Sequence, residues 1–389
     1  MADLLVNTRV RRRVGNERHS RGRLAIVRVV VIGSGIAGAS AAYQLTRRDV
    51  EVVVVDAGRS GVATAAGAGI VCPWTSRGPE EHNRAASVAA DYYRTLVAEL
   101  ADDGVTGSSF EVVGGMVVSA DPGELDEAHE RVSRRAAASA VAGEVRRLDR
   151  ARELFPALAP ELGAVYVAGG ARVDGRQLRE ALLTAAAKRG AEVVTGEARF
   201  TGGDVHVNGA TVAADKIVVA AGAWSADLVE PLGVSLGVAP QRGQISHFEL
   251  PGVDTGPWPV VLPVSSHYLL AFPGSRVVAG ATRETGSGFD YRITAAGQRE
   301  VLENALAVAP GLADATLLET RVGFRPASED GLPLLGPLTE RPDVLIATGF
   351  GPSGLTLAPF AGRLIAELAL GARPSLDLEP YRPERFSAR

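Results

Sequence analysis

Cysteine is all but missing from this chain: Cys72 is the only one in 389 residues. A single thiol excludes an intramolecular disulfide and any cysteine-rich zinc or iron–sulfur site. The six histidines are scattered without a paired HxxxH spacing, so no metal is expected. No apolar run approaches the ~18 residues of a membrane-spanning helix. Lysine is scarce as well, with Lys188 and Lys216 alone among 41 basic residues, a bias that fits a GC-rich genome and carries no functional weight. With a net charge of −4, no nucleic-acid partner is expected.

What is present is a globular composition, 46% hydrophobic and 22% charged. The length exceeds what one compact core usually holds, so two domains are expected. Charge is uneven. Residues 1–26 hold seven arginines against Asp3 and Glu17, a net +5 that leaves −9 for the rest. Such a segment can bind an anionic surface. It has no apolar core of its own, however, and reads better as a disordered extension or a start codon placed too far upstream. The pair Arg12-Arg13 hints at a twin-arginine export signal. The apolar run that follows, 24–32, is broken by Arg28 and leads into a nucleotide motif instead of a cleavage site. A cytoplasmic protein is expected.

The run 28–32, Arg-Val-Val-Val-Ile, predicts a buried strand, and Gly33-Ser-Gly35-Ile36-Ala37-Gly38 follows it before a helical stretch over 39–47. Strand, GxGxxG and helix form a dinucleotide-binding turn. Gly33 permits the tight turn, Gly35 lets backbone approach a pyrophosphate, and Gly38 lets helix and strand pack closely. The pyrophosphate would rest on the helix N-terminus, where free N–H groups favour anions. A second strand, 51–55, ends in Asp56, 21 positions beyond Gly35, where a carboxylate takes the adenosine ribose hydroxyls. This motif alone does not choose between NAD and FAD.

Four later segments point to flavin. Residues 63–71 are Ala and Gly rich where an NAD dehydrogenase would continue its helix, and small residues let backbone lie flat against an isoalloxazine. The stretch 215–225 predicts a buried strand ending in a small turn. Arg325 sits in a Pro- and Gly-rigidified stretch, Gly323-Phe324-Arg325-Pro326. Residues 344–359 give another strand, a Gly-rich turn and a helix over 355–370. That helix N-terminus suits the flavin N1–C2=O edge, which gains negative charge on reduction.

Together, GxGxxG, GFRP, Asp330-Gly-Leu-Pro333 and the 349–359 stretch make the chain resemble the D-amino acid oxidase/glycine oxidase family of FAD enzymes, over roughly 27–385. The resemblance implies an α/β fold: a discontinuous Rossmann-like FAD domain and a substrate domain with a mainly antiparallel sheet. It implies non-covalent FAD and oxidation of the C–N bond of a small amino acid, D-configured, glycine or N-substituted. Hydride would pass to flavin N5, and the imine would hydrolyse to a 2-oxo acid. Oxygen or another acceptor would reoxidise the flavin. A homo-oligomer is compatible with it. Implied cofactor contacts are Gly33, Gly35, Ile36, Ala37 and Gly38 at the turn, and Asp56, Ala57 and Arg199 at the adenosine. Ala63, Thr64, Ala68, Gly69 and Ile70 would lie along the flavin, and Phe350, Gly351, Pro352, Ser353, Gly354, Leu355 and Thr356 around its ring.

Because these motifs fall at the start, middle and end of the chain, the FAD domain is expected to combine 27–107, 155–230 and 325–385. The substrate domain is then 108–154 and 231–324. Strands are expected at 111–119, 241–248, 268–272 and 276–281, the last two as a hairpin. Helices are expected at 85–100, 123–142 and 177–189. The active site belongs where the second sheet faces the flavin.

The resemblance puts Arg325 where the family binds the substrate carboxylate, a task that suits the guanidinium fork. Tyr268 matches the family tyrosine that hydrogen-bonds the same group. The chain departs from glycine oxidases at Pro352, where they carry a second substrate-side arginine, and at Arg321 and Arg283, where they are aromatic and apolar. Either arginine offers a second positive charge. His267 falls opposite Tyr268 by strand alternation, which favours a structural role. Cys72 reads as a buried inert thiol, and Arg242 and Gln244 lie on a strand expected to face the pocket. An NAD-dependent dehydrogenase and a flavin-bound scaffold without catalysis are the rival readings.

Overall fold

Four β-branched residues in a row need burial on both faces, and Arg28–Ile32 finds it inside a six-stranded sheet. The computed structural model describes residues 27–265 and 267–386. The basic segment 1–26, read above as an extension, lies outside the described residues. Across this sheet the order is Leu334–Pro337, Val344–Thr348, Lys216–Val219, Arg28–Ile32, Glu51–Asp56 and Glu192–Thr195. Neighbours are parallel except for the antiparallel edge strand Leu334–Pro337.

Alternation along the central strands sorts their side chains into two layers. Val29, Val31, Val52 and Val54 pack into the core with helices Ile36–Thr46, Glu80–Asp102, Gly175–Lys188 and Gly354–Ala369. Val30, Ile32, Val53 and Val55 pack against a three-stranded meander, Ala198–Thr201, Asp204–Val207 and Ala210–Thr211. Asp174 caps Gly175–Lys188 by accepting from the Arg176 and Gln177 N–H groups at 3.0 and 3.4 Å.

The other large sheet has nine strands. Its longest pair, Val238–Glu249 and Thr316–Ser328, is antiparallel with a register shift between His247 and Phe248. Arg276–Gly280, Tyr268–Phe272 and Val260–Pro263 continue it antiparallel. Val260–Pro263 then pairs parallel with Gly115–Ser119, which leads through Gly163–Val167 to Val145–Leu148. The core of this sheet gathers Met116, Phe155, Trp258, Val277 and Val301.

Some elements differ from their sequence outlines. The strand expected over 111–119 is two. Glu111–Val112 joins a small sheet with Ala171–Arg172, and only Gly115–Ser119 enters the large one. The break falls at Gly114, whose φ of +84° turns the chain. The helix expected over 123–142 is Pro122–Ala136 and ends with Arg134 and Arg135 in its last turn, where cations suit the helix dipole. Gly163–Val167 hydrogen-bonds into the nine-stranded sheet, although it lies within 155–230, and Thr316–Ser328 runs unbroken through residue 325. We propose that the two large sheets mark two domains, with both of these strands on the substrate side.

Candidate active site

One cavity of about 630 Å³ runs along both large sheets, lined by stretches from the beginning, middle and end of the chain. At one end is the turn after Arg28–Ile32. Gly33 has φ +101°, and a Cβ there would overlap the Ala220 carbonyl. Gly35, Ile36 and Ala37 line the cavity. A Cβ on Gly35 would meet only the Thr64 hydroxyl, at 3.4 Å, so this position is open toward the cavity. Gly38 does not line it. A Cβ there would overlap the Gly33 carbonyl, so its place is in helix packing.

Asp56 and Ala57 line the same end. One Asp56 oxygen accepts from the Ser34 N–H at 2.7 Å and the Ser34 hydroxyl at 2.5 Å, and the other from the Gly58 N–H at 2.8 Å. Burial works against the charge, but these hydrogen bonds and the nearby Arg179 hold the carboxyl below its ordinary pKa. It is therefore an anion at neutral pH, with fixed orientation and acceptor capacity left for hydroxyls. Arg199 also lines this end, beside Arg59, and both pair with Glu197, at 2.8 and 3.0 Å.

Ala63, Thr64, Ala68, Gly69 and Ile70 continue the wall. The Ile36 N–H donates to the Thr64 hydroxyl at 2.9 Å, tying this stretch to the glycine turn. Phe350, Gly351, Pro352, Gly354 and Leu355 close it from the last motif, where helix Gly354–Ala369 begins. Ser353 and Thr356, expected around the ring, are not among the lining residues. His82 Nε2 lies 3.0 Å from the Ser353 hydroxyl, and Thr356 donates to the Ile70 carbonyl at 2.9 Å.

The opposite end belongs to the nine-stranded sheet, through Gly243, Ile245, Tyr268, Gly323, Phe324 and Arg325, and to the link after Arg276–Gly280, through Ala281 and Arg283. Arg325 is half-buried, and its Nη1 donates to the Thr282 carbonyl at 3.0 Å. Its guanidinium lies over Gly243, where a Cβ would come within 2.6 Å of Arg325 Cζ. Glycine at 243 is thus what makes room for the arginine. Burial lowers the Arg325 pKa, the Tyr268 phenol beside it opposes this, and the Arg283 charge lowers it further. A guanidinium remains protonated regardless. Burial raises the Tyr268 pKa although the Arg325 and Arg283 charges pull it down, so its hydroxyl stays a donor at neutral pH.

The other candidates lie outside the cavity. The strand of Arg242 and Gln244 does face the cavity, but these two side chains take its other face. Arg242 pairs with Glu284 at 2.6 Å and Asp290 at 2.8 Å, while Gln244 donates to Glu284 and Thr294 at 2.7 and 2.9 Å. The odd-numbered neighbours Gly243 and Ile245 take the cavity face. Arg321 pairs with Glu319 at 2.5 Å. His267 Nε2 lies 3.5 Å from a Glu300 carboxylate oxygen. Cys72 is buried, and burial pushes its thiol up to about 12. Among the described residues no cluster of three or more metal-ligating side chains occurs, and no helix is long and apolar enough to cross a membrane.

Sequence reasoning missed an aromatic group on the cavity wall. Trp224 stacks on Phe289, with centroids 4.8 Å apart and planes 8° apart, and Phe324 meets both edge-on. Trp224 and Phe324 line the cavity. Phe324, beside Arg325 in GFRP, and Trp224, in the small turn after strand Lys216–Val219, were the available signals.

The donor set fits an FAD: an open glycine at a helix N-terminus, an anionic acid ending the second strand, and a small-residue wall leading to a second helix N-terminus. The sequence model of FAD-dependent oxidoreductases matches residues 28–368, and the chain belongs to this family. It is an FAD-dependent oxidoreductase. The chain is similar to the uncharacterised oxidoreductase YurR of Bacillus subtilis (strain 168), 44% identical over 91% of this chain and 98% of that protein. Among solved structures it resembles iminodiacetate oxidase (IdaA) from Chelativorans sp. BNC1, with 47% identity, a TM-score of 0.88, and coverage of 91% and 98%. Glycine oxidase from Geobacillus kaustophilus follows at 28% identity and TM-score 0.79, covering 92% of this chain and 99% of that one.

Proposed function

We propose that this enzyme oxidises the C–N bond of a small amino acid, D-configured, glycine or N-substituted, with Arg325 and Tyr268 holding the substrate carboxylate. The observation that carries this reading is the convergence of a guanidinium and a protonated phenol on the end of the cofactor cavity formed by the second sheet. The acids lining the cavity among the described residues, Asp56, Glu197 and Asp227, come from the nucleotide-side strand end, the meander edge and the short helix Ser225–Val229. The relatives named iminodiacetate oxidase and glycine oxidase act on substrates of this type.

Arg325 offers a carboxylate two parallel N–H donors, and Tyr268 adds a third. Fixing the carboxylate orients Cα, and orientation supplies much of the rate in such a reaction. FAD supplies the two-electron acceptor. As the Cα–H bond breaks with both of its electrons, C–N becomes C=N, and water then releases a 2-oxo acid and the amine. The amine must lose its proton before this step, because the lone pair that forms C=N is otherwise engaged. Oxygen or another acceptor then takes the electrons.

The test is anaerobic bleaching of the bound flavin by a panel of D-, L- and N-methyl amino acids. We expect bleaching by small D- or N-substituted members, faster as pH rises toward the amine pKa. Flavin that no member reduces would overturn the proposal.

A further inference from the structure

We propose that Arg283 binds a second carboxylate on the substrate, so that the enzyme prefers amino acids that are dicarboxylates. This rests on the reading of Arg325 as the anchor of the first. Four arginines line the cavity, and they fall into two pairs. Arg59 and Arg199 share Glu197, which halves the charge of that pair. Arg283 and Arg325 stand at the substrate end, and among the described residues neither has a carboxylate partner in hydrogen-bonding or ion-pairing range.

The nearest acids in sequence are already engaged. Glu284 follows Arg283 in the chain and points to the other side, where it accepts from Arg242, from Gln244 at 2.7 Å and from the Thr282 hydroxyl at 2.7 Å. Asp290 is held by Arg242 at 2.8 Å and Arg292 at 2.9 Å. Arg283 thus keeps an exposed, unneutralised charge at the cavity mouth, near enough to lower the pKa of both Arg325 and Tyr268. Two like charges brought to one wall are unfavourable until an anion joins them. A substrate with one carboxylate satisfies Arg325 and leaves Arg283 without a partner, whereas a dicarboxylate satisfies both. Glycine oxidases lack an arginine at this position by resemblance, while the 47% identical solved relative is an iminodiacetate oxidase.

The second carboxylate can sit on the nitrogen substituent or on the side chain, and the experiment separates these. Anaerobic flavin reduction is followed with iminodiacetate, D-aspartate, N-methylglycine and D-alanine, in the wild type and in Arg283→Gln. We expect the wild type to prefer iminodiacetate over N-methylglycine, or D-aspartate over D-alanine, by at least about tenfold. Arg283→Gln should weaken the dicarboxylate by roughly 10- to 100-fold, the loss of a hydrogen bond to a charged group, and the monocarboxylates by no more than about twofold. Arg283→Lys should recover part of the preference. Calorimetric binding of thiodiacetate, which has no N–H to oxidise, should show the same loss without turnover. No preference in the wild type, or equal weakening of both substrate types in Arg283→Gln, would overturn this inference and leave the functional reading standing. Flavin reduced by none of the four, nor by the wider panel, would overturn both.

Discussion

The two ends of the cavity are built differently. The nucleotide end is made of backbone: a turn at Gly33, an open Gly35, a helix N-terminus and one oriented acid, Asp56. The proposed substrate end is made of long side chains, with Arg325 and Tyr268 on antiparallel strands and Arg283 in the link between two others. Backbone chemistry is dictated by spacing along one short stretch of sequence. Side-chain chemistry depends on which face of a strand turns inward and on what the neighbouring strand leaves empty. The first end is therefore tolerant of side-chain change except at its glycines and Asp56, while the second is sensitive to single substitutions across strands.

The sharpest break of this comparison lies within the glycine turn itself. A Cβ on Gly38 overlaps backbone, whereas one on Gly35 points into the cavity. Gly38→Val should destabilise the fold by at least the ~1–3 kcal/mol of ordinary overpacking, and soluble yield and thermal melting should report it. Gly35→Val should keep the fold by circular dichroism but lose flavin on purification. A Gly35→Val protein that retains stoichiometric FAD would show that the pyrophosphate lies elsewhere.

At the substrate end, Gly243→Ala is the cross-strand counterpart. Its methyl group would displace the Arg325 guanidinium, so substrate binding should weaken by about 1–3 kcal/mol with flavin content unchanged. Titration of the oxidised flavin with a non-reactive carboxylate measures it. Unaltered affinity would mean that the guanidinium does not need its place above Gly243. Tyr268→Phe should have the smallest effect, about 0.5–1.5 kcal/mol in substrate affinity, since one hydrogen bond is lost while Arg325 remains.

The same contrast explains what the sequence made legible. Four consecutive β-branched residues, GxGxxG and an acid at the end of the next strand are local signals, and they marked the first parallel strands and their turn. The helix over Gly354–Ala369 was visible for the same reason. At the other end, alternation assigned Arg242 and Gln244 to one face but could not say which face was inward. The strand was expected to face the pocket, and it does so through Gly243 and Ile245, while Arg242 and Gln244 are spent on Glu284. The use of Gly243 appears only once Arg325 is paired across from Gln241. The Trp224, Phe289 and Phe324 group joins residues up to 100 positions apart, and no local pattern links them. Gly114 interrupts the 111–119 run because its backbone, and not its hydrophobicity, decides the break.

Arg325→Ala tests most directly whether Arg325 anchors the substrate carboxylate beside the cofactor. Flavin content and the anaerobic reduction rate are measured together over a range of substrate concentrations. The variant should keep full flavin content, bind substrate more weakly by roughly 2–5 kcal/mol, and be reduced more slowly at saturation because Cα is no longer held in place. Reduction kinetics unchanged from the wild type would contradict this role.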